Sequence, residues 1–124
     1  MNVLVVDDSA AMRKIVIAAL AKTELKGARI VEAADGKEAL NKFYDGNFAF
    51  ILSDWNMPEM DGLEFVTKVR GVDKRVKIIM ITTEGSFGKF ETALDEGVDE
   101  LIVKPFTPEA LDRKIKKLLR PGSA

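Results

Sequence analysis

Val3-Leu4-Val5-Val6-Asp7-Asp8-Ser9 places four apolar residues, three of them β-branched, directly before two carboxylates and a hydroxyl. A run this short and this apolar suits a strand buried on both faces, the habit of a parallel sheet. Ser9 suits a helix N-cap, and Met12, Ile15, Val16, Ala19 and Leu20 recur after it at helical spacing. The unit is a strand, an acidic turn and a helix.

The same unit repeats outward. Ala28 to Ala33 reads as a second strand, with Arg29 and Glu32 suiting a sheet edge. Asp35-Gly36 reads as a turn before a helix carrying Ala39, Leu40 and Phe43, which Gly46 closes. Phe48 to Ser53 runs into Asp54, and Trp55-Asn56-Met57-Pro58-Glu59-Met60 follows as a loop, with Trp55 expected partly exposed. Asp61 and Glu64 resemble a capping box for a third helix along Leu63, Val66 and Val69, stopped by Gly71. Val76 to Ile81 is a fourth strand ending at Thr82-Thr83. Ser86 is a cap for a helix with Phe90, Ala93 and Leu94, closed by Gly97. Leu101 to Val103 is a fifth strand ending at Lys104-Pro105, and Thr107-Pro108-Glu109 opens the last helix, which Pro121 ends. Five strand-helix units in alternation mean an α/β fold with a parallel sheet, right-handed crossovers and helices on both faces.

The 124 residues fit one domain, expected over 1–120 with a tail over 121–124. With 47% apolar and 31% charged residues, the composition is that of a soluble globular chain. Cysteine and histidine are both absent, which excludes disulfides, thiolate or imidazole catalysis and His- or Cys-ligated metals. Nineteen basic against twenty acidic residues leave a net charge of −1, so no nucleic-acid partner is expected. Without a signal peptide or membrane-length apolar run, a cytoplasmic location is expected.

Ligands of an open parallel sheet bind outside the carboxyl ends of its strands. Asp7 and Asp8, Asp54, Thr82 and Lys104 all fall at such ends. Alone, Asp7-Asp8 reads equally well as a polar strand end with a helix cap. Three neighbouring carboxylates, however, repel one another unless a cation sits among them. Oxygen-only ligands suit Mg²⁺, which keeps several waters and often meets a phosphate. A carboxylate such as Asp54 can act as a nucleophile and carry a phosphoryl group, with metal and lysine stabilising the transferring charge.

Taken in order, Asp7-Asp8-Ser9, Asp54-Trp55-Asn56-Met57-Pro58-Glu59-Met60-Asp61-Gly62, Thr82-Thr83-Glu84-Gly85 and Lys104-Pro105-Phe106 closely resemble the receiver domain of two-component response regulators, and within it the single-domain chemotaxis regulators. The resemblance covers essentially the whole chain. It implies a flavodoxin-like (βα)5 fold with strand order 2-1-3-4-5. It also implies Asp54 as phosphoacceptor, Asp8 as direct Mg²⁺ ligand, Asp7 as a largely water-mediated one, and the Asn56 backbone carbonyl as a third contact. Thr82 and Lys104 match the groups that bind the phosphoryl oxygens, Asn56 and Glu84 match positions that tune its hydrolysis, and Lys104-Pro105 matches a cis peptide. The implied partners are a sensor histidine kinase as phosphodonor and a protein target on the fourth helix, fifth strand and fifth helix, the flagellar motor switch among the candidates. A monomer is expected. Leu101 departs from the aromatic residue that chemotaxis members carry three residues before the lysine, which puts the usual hydroxyl-to-aromatic switch in doubt. Phe87 and Phe90 are alternative aromatic contacts, with core packing the first reading of Phe90.

Two other readings share these residues. One is a Mg²⁺-dependent aspartyl-phosphate phosphatase, against which Asn56 stands where a second aspartate belongs. The other is a phosphate sink or phosphorylation-independent adaptor. An EF-hand loop from Asp54 fails at Pro58, Glu59 and Phe65, and Gly85 to Lys89 is too short for a P-loop. The basic run from Lys114 to Arg120 reads as a solvated helix face.

Overall fold

The structure, a computed structural model, describes residues 1–57, 59–83 and 87–120, with residues 87–89 described by their backbone alone. The expectations resting on Pro58, Glu84, Ser86, Pro121, the 121–124 tail and the Phe87 side chain lie outside the described residues. Five strands and five helices alternate: β1 (Asn2–Val6), α1 (Ala10–Leu20), β2 (Arg29–Ala33), α2 (Gly36–Tyr44), β3 (Phe50–Asp54), α3 (Gly62–Arg70), β4 (Lys77–Thr82), α4 (Phe87–Asp95), β5 (Glu100–Val103) and α5 (Pro108–Leu119). All paired strands are parallel, in the order β2-β1-β3-β4-β5. The strand carrying Arg29 and Glu32 is an edge, as its composition implies.

Strand residues alternate between two faces, and the sheet therefore divides the core in two. Leu4, Val6, Ile51, Ile78 and Met80 pack with Leu40 and Phe43 of α2, Phe65 and Val69 of α3, and Ala93 of α4. Val3, Val5, Leu52, Ile79 and Ile81 pack with Val16 and Leu20 of α1 and Leu111 and Ile115 of α5. Each fully buried Val, Leu, Ile, Phe or Met side chain among these contributes about 1.5–3 kcal/mol before entropy is counted.

Ser9, Asp35, Asp61 and Thr107 each accept a hydrogen bond from the backbone N–H three residues on, at Met12, Glu38, Glu64 and Ala110. Asp35 is thus a helix cap as well as a turn residue. Gly97 closes α4 with φ +106°, the left-handed geometry that favours glycine. The Arg70 side chain lies across it and donates Nε to the Gly97 carbonyl at 2.9 Å and Nη2 to Asp99 at 2.9 Å.

Two sequence readings of the core need correction. Ile15 is 56% exposed and Leu94 is exposed, so neither belongs to the buried stripe of its helix. In α1 the covered side runs through Met12, Val16, Ala19 and Leu20, with Ile17 packed at its margin. Phe48 precedes the strand rather than opening it, because its ring stacks on Phe43 of α2 at 6.1 Å between centroids. The basic run of α5 is a solvated helix face, as its sequence implies, and its side chains are also paired. Lys116 meets Asp112, Arg120 meets Glu24, and Lys114 and Lys117 both meet Glu100.

At the amino-terminal edge of the sheet, Met1, Phe48, Leu118 and Leu119 line an open depression of about 430 Å³. No helix among the described residues is long and apolar enough to cross a membrane.

Candidate functional site

The carboxyl edge of the sheet gathers the charged strand ends. One residue past β1, the Asp7 N–H still donates to the Ala33 carbonyl at 3.1 Å, so the ladder carries Asp7 into the crevice. Its side chain is buried, with Oδ1 accepting the Ser9 N–H at 2.9 Å. Asp8 beside it is exposed. Asp54, the last residue of β3, is 9% exposed and pairs in register with Ile81 of β4. Lys104, just past β5, sets its ammonium 3.4 Å from Asp54 Oδ1 and 3.6 Å from Asp7 Oδ2.

Thr82 ends β4 and is buried, and its carbonyl accepts the Lys104 N–H at 2.7 Å. The Lys104-Pro105 peptide is cis. Asn56 engages Asp54 through its backbone, which hydrogen bonds the carboxylate.

Backbone packing fixes where Asp54 stands. The Trp55 N–H donates to the Ile81 carbonyl at 3.0 Å, and the Trp55 carbonyl accepts the Gly62 N–H at 2.8 Å. A Cβ on Gly62 would lie 2.7 Å from the Asp54 carbonyl oxygen and 3.0 Å from Trp55 Cα, so only glycine lets α3 start this close. Glu59 turns the intervening loop with φ 69°, an uncommon value for a residue with a side chain. Trp55 is not the partly exposed aromatic its loop position suggests. It is 7% exposed and joins the core beneath α2 and α3, since its backbone still follows the strand.

One carboxylate oxygen from each of Asp7, Asp8 and Asp54 can lie within 4.8 Å of the others. Formal charges of −3 from these acids and +1 from Lys104 leave −2, which a divalent cation neutralises. Three oxygen donors with one exposed member fit a hard cation that retains waters, so the residues present fit Mg²⁺. Burial pushes the Asp54 carboxyl above the ordinary aspartate value. Lys104 pulls it down, Asp7 pushes it further up, and hydrogen bonds from Lys104 and the Asn56 backbone favour the charged form.

Several working residues escape the sequence reading. Arg13 donates Nη1 to the Asp7 carbonyl at 2.7 Å and Nε to Glu32 at 2.9 Å. Glu100, 5% exposed on β5, takes one lysine on each oxygen, Lys114 and Lys117, both at 3.0 Å. Leu101 next to it is also buried, in the cluster that holds Met80 and Ala93.

Burial alone would raise the Glu100 carboxyl, but hydrogen bonds from Lys117 and Lys114, with their charges, outweigh it and hold it below the ordinary glutamate value of 4.5. A depressed acid stabilises the fold above its unfolded pKa, and that contribution is lost as pH falls through the folded value. Because both lysines are substantially exposed, solvent screens the pair. Glu100→Gln is expected to cost about 1 kcal/mol at pH 7, with the difference from wild type vanishing well below pH 4.5. Urea unfolding at both pH values checks this, and an equal loss at both would refute it.

Comparison with known proteins agrees with this geometry. The family profile described as the response regulator receiver domain matches residues 3–116. A chemotaxis protein CheY homolog of Campylobacter jejuni is 47% identical, over 99% of this chain and 95% of its own length. Chemotaxis protein CheY1 of Helicobacter pylori is 44% identical, over 96% of this chain and 97% of its own. The solved structure of Vibrio cholerae chemotaxis protein CheY4 superposes with a TM-score of 0.86 at 40% identity, covering 94% of this chain and 97% of that one.

Proposed function

The chain belongs to the response regulator receiver-domain family, and from that premise we propose that it takes a phosphoryl group from a histidine kinase onto Asp54 and thereby switches a protein-binding surface in chemotaxis. The observation that carries the residue assignment is the Lys104 ammonium, 3.4 Å from Asp54 and 3.6 Å from Asp7 at the edge where Asp8 also stands. This sequence holds no histidine, so the donor imidazole comes from the kinase.

An Asp54 oxygen attacks phosphorus and forms the new O–P bond as the N–P bond of phosphohistidine breaks. The leaving nitrogen keeps the electron pair and takes a proton. Lys104 pairs with the incoming oxygens and Thr82 supplies a hydroxyl from the adjacent strand end. Asp7, Asp8 and Asp54, with the Asn56 carbonyl, would hold Mg²⁺, which when bound supplies charge neutralisation for the transferring group.

The output surface in this reading is α4, β5 and α5, where Leu94 and Val103 are exposed apolar residues. Glu100 of β5 ties that strand to α5 through Lys114 and Lys117. A flagellar motor switch protein is the target this reading favours, in a cytoplasmic setting. Buried Leu101 replaces the aromatic expected of chemotaxis members, so the switch would run through aliphatic packing.

The test is exposure to acetyl phosphate and Mg²⁺ followed by intact mass, then capture of partner with and without the phosphoryl group. A single Mg²⁺-dependent adduct and phosphorylation-dependent capture are expected. Multiple turnover on small phosphate esters would favour the phosphatase reading, and partner affinity unmoved by phosphorylation would favour the adaptor.

A further inference from the structure

Asp7 and Asp8 are joined by one peptide group, and that group has a dedicated donor. The β1–β2 ladder ends at the Asp7 N–H, leaving the Asp7 carbonyl beyond it. Arg13, one turn into α1, reaches back and donates Nη1 to this carbonyl at 2.7 Å. Because a peptide group is planar, fixing its oxygen fixes the plane that aims both Asp7 and Asp8. The same guanidinium donates Nε to Glu32 of β2 at 2.9 Å, and the Glu32 carbonyl accepts the Lys42 ammonium of α2 at 2.6 Å. Arg13 is mostly buried, whereas Glu32 is half exposed.

We propose that Arg13 is a positioning residue for the Mg²⁺ site, holding the Asp7–Asp8 peptide so that both carboxylates face the cation, and that Glu32 anchors and neutralises it. The inference rests on the reading that Asp7, Asp8 and Asp54 hold the metal. Arg13 meets the Asp7 main-chain carbonyl and the Glu32 carboxylate, not the carboxylates that would face the cation. Its contribution is the orientation of the residues that do. The Glu32 partner explains how a cation can stand here without opposing another: the pair brings a strong hydrogen-bond donor to the site at nearly zero net charge.

Charge and orientation predict opposite signs, which makes the proposal testable. If Arg13 acted only through charge, removing it would leave Glu32 uncompensated and tighten Mg²⁺ binding. If it orients the acids, removing it weakens binding despite that gain, as losing the outer partner of a metal ligand does.

The experiment is a Mg²⁺ titration of the full chain, followed by amide NMR shifts, on wild type, Arg13→Met and Arg13→Lys, with thermal melts alongside. Arg13→Met is expected to raise the Mg²⁺ Kd about tenfold, and Arg13→Lys, which keeps a donor but not the fork, to fall between it and wild type. A purely structural role would lower the melting temperature without moving the Kd of the folded protein. An Arg13→Met Kd equal to or below that of wild type overturns the proposal. Should that variant not fold, an Arg13→Lys Kd no higher than wild type overturns it instead. Absence of Mg²⁺ binding by the wild type would overturn both this inference and the metal-site reading, whereas binding by wild type with equal affinity in the variants sinks this inference alone.

Discussion

Replacing Asp54 with Asn abolishes Mg²⁺-dependent phosphoryl uptake from acetyl phosphate: intact mass shows one adduct on the wild type and none on the variant. The expected fall in rate is at least about 10³-fold, since the amide has neither the charge nor the lone-pair basicity of the nucleophile. The change is nearly isosteric, so the failure is chemical. Asn also removes a carboxyl that burial and Asp7 disfavour in its charged form, so the metal-free variant is expected to melt no lower than wild type. Omitting Mg²⁺ should silence the wild type too, because the −2 left by the three acids and Lys104 then opposes an arriving anion. An adduct on Asp54→Asn at the wild-type rate would remove Asp54 from its role, and one formed equally without Mg²⁺ would remove the metal.

Trp55→Ala is expected to cost about 3–5 kcal/mol, the usual range for deleting a large buried aromatic side chain. For a domain of this size that is a drop of roughly 15 °C in melting temperature. The two readings of Trp55 separate here, because an exposed loop aromatic would cost within about 0.5 kcal/mol. Its 7% exposure and its place with Phe65, Met80 and Leu101 require the larger figure. Trp55→Phe keeps the ring volume nearest to it and should recover most of the loss. Thermal unfolding of the three proteins decides the matter, and a melting temperature unchanged by Ala would return Trp55 to the surface.

The fold was legible because its signal is local and repeated. Val3 to Val6 and the other apolar runs each end in a polar strand terminus, and alternation with helical spacing leaves little topological choice. Family resemblance then supplied the strand order, which spacing alone does not. Asp7, Asp8, Asp54 and Lys104 were legible for the same reason, since strand ends in a parallel sheet share an edge. What stayed hidden depends on partners distant in sequence. Arg13 looks like one more polar helix residue until the Asp7 carbonyl and Glu32 are seen beside it. Glu100 looks like a loop acid before a strand until two lysines of the next helix close on it. Ile15 and Leu94 fit helical periodicity, and only the way each helix lies on the sheet decides which side is covered. Trp55 reads as a loop residue because Asp54 looks like the end of its strand, whereas the Trp55 N–H still bonds to β4.

The depression lined by Met1 at one end of the chain and Leu118 and Leu119 near the other has a consequence for building with this domain. Met1 and the end of α5 lie at the sheet edge opposite Asp54, a distance of about 16 Å along five strand residues. A fluorophore or a tether to a surface joined at Met1 therefore begins on the far side of the sheet from Asp7, Asp54 and Lys104. Such a conjugate should keep the acidic edge open to its donor, like a bead hung by one point with its working face turned away from the thread.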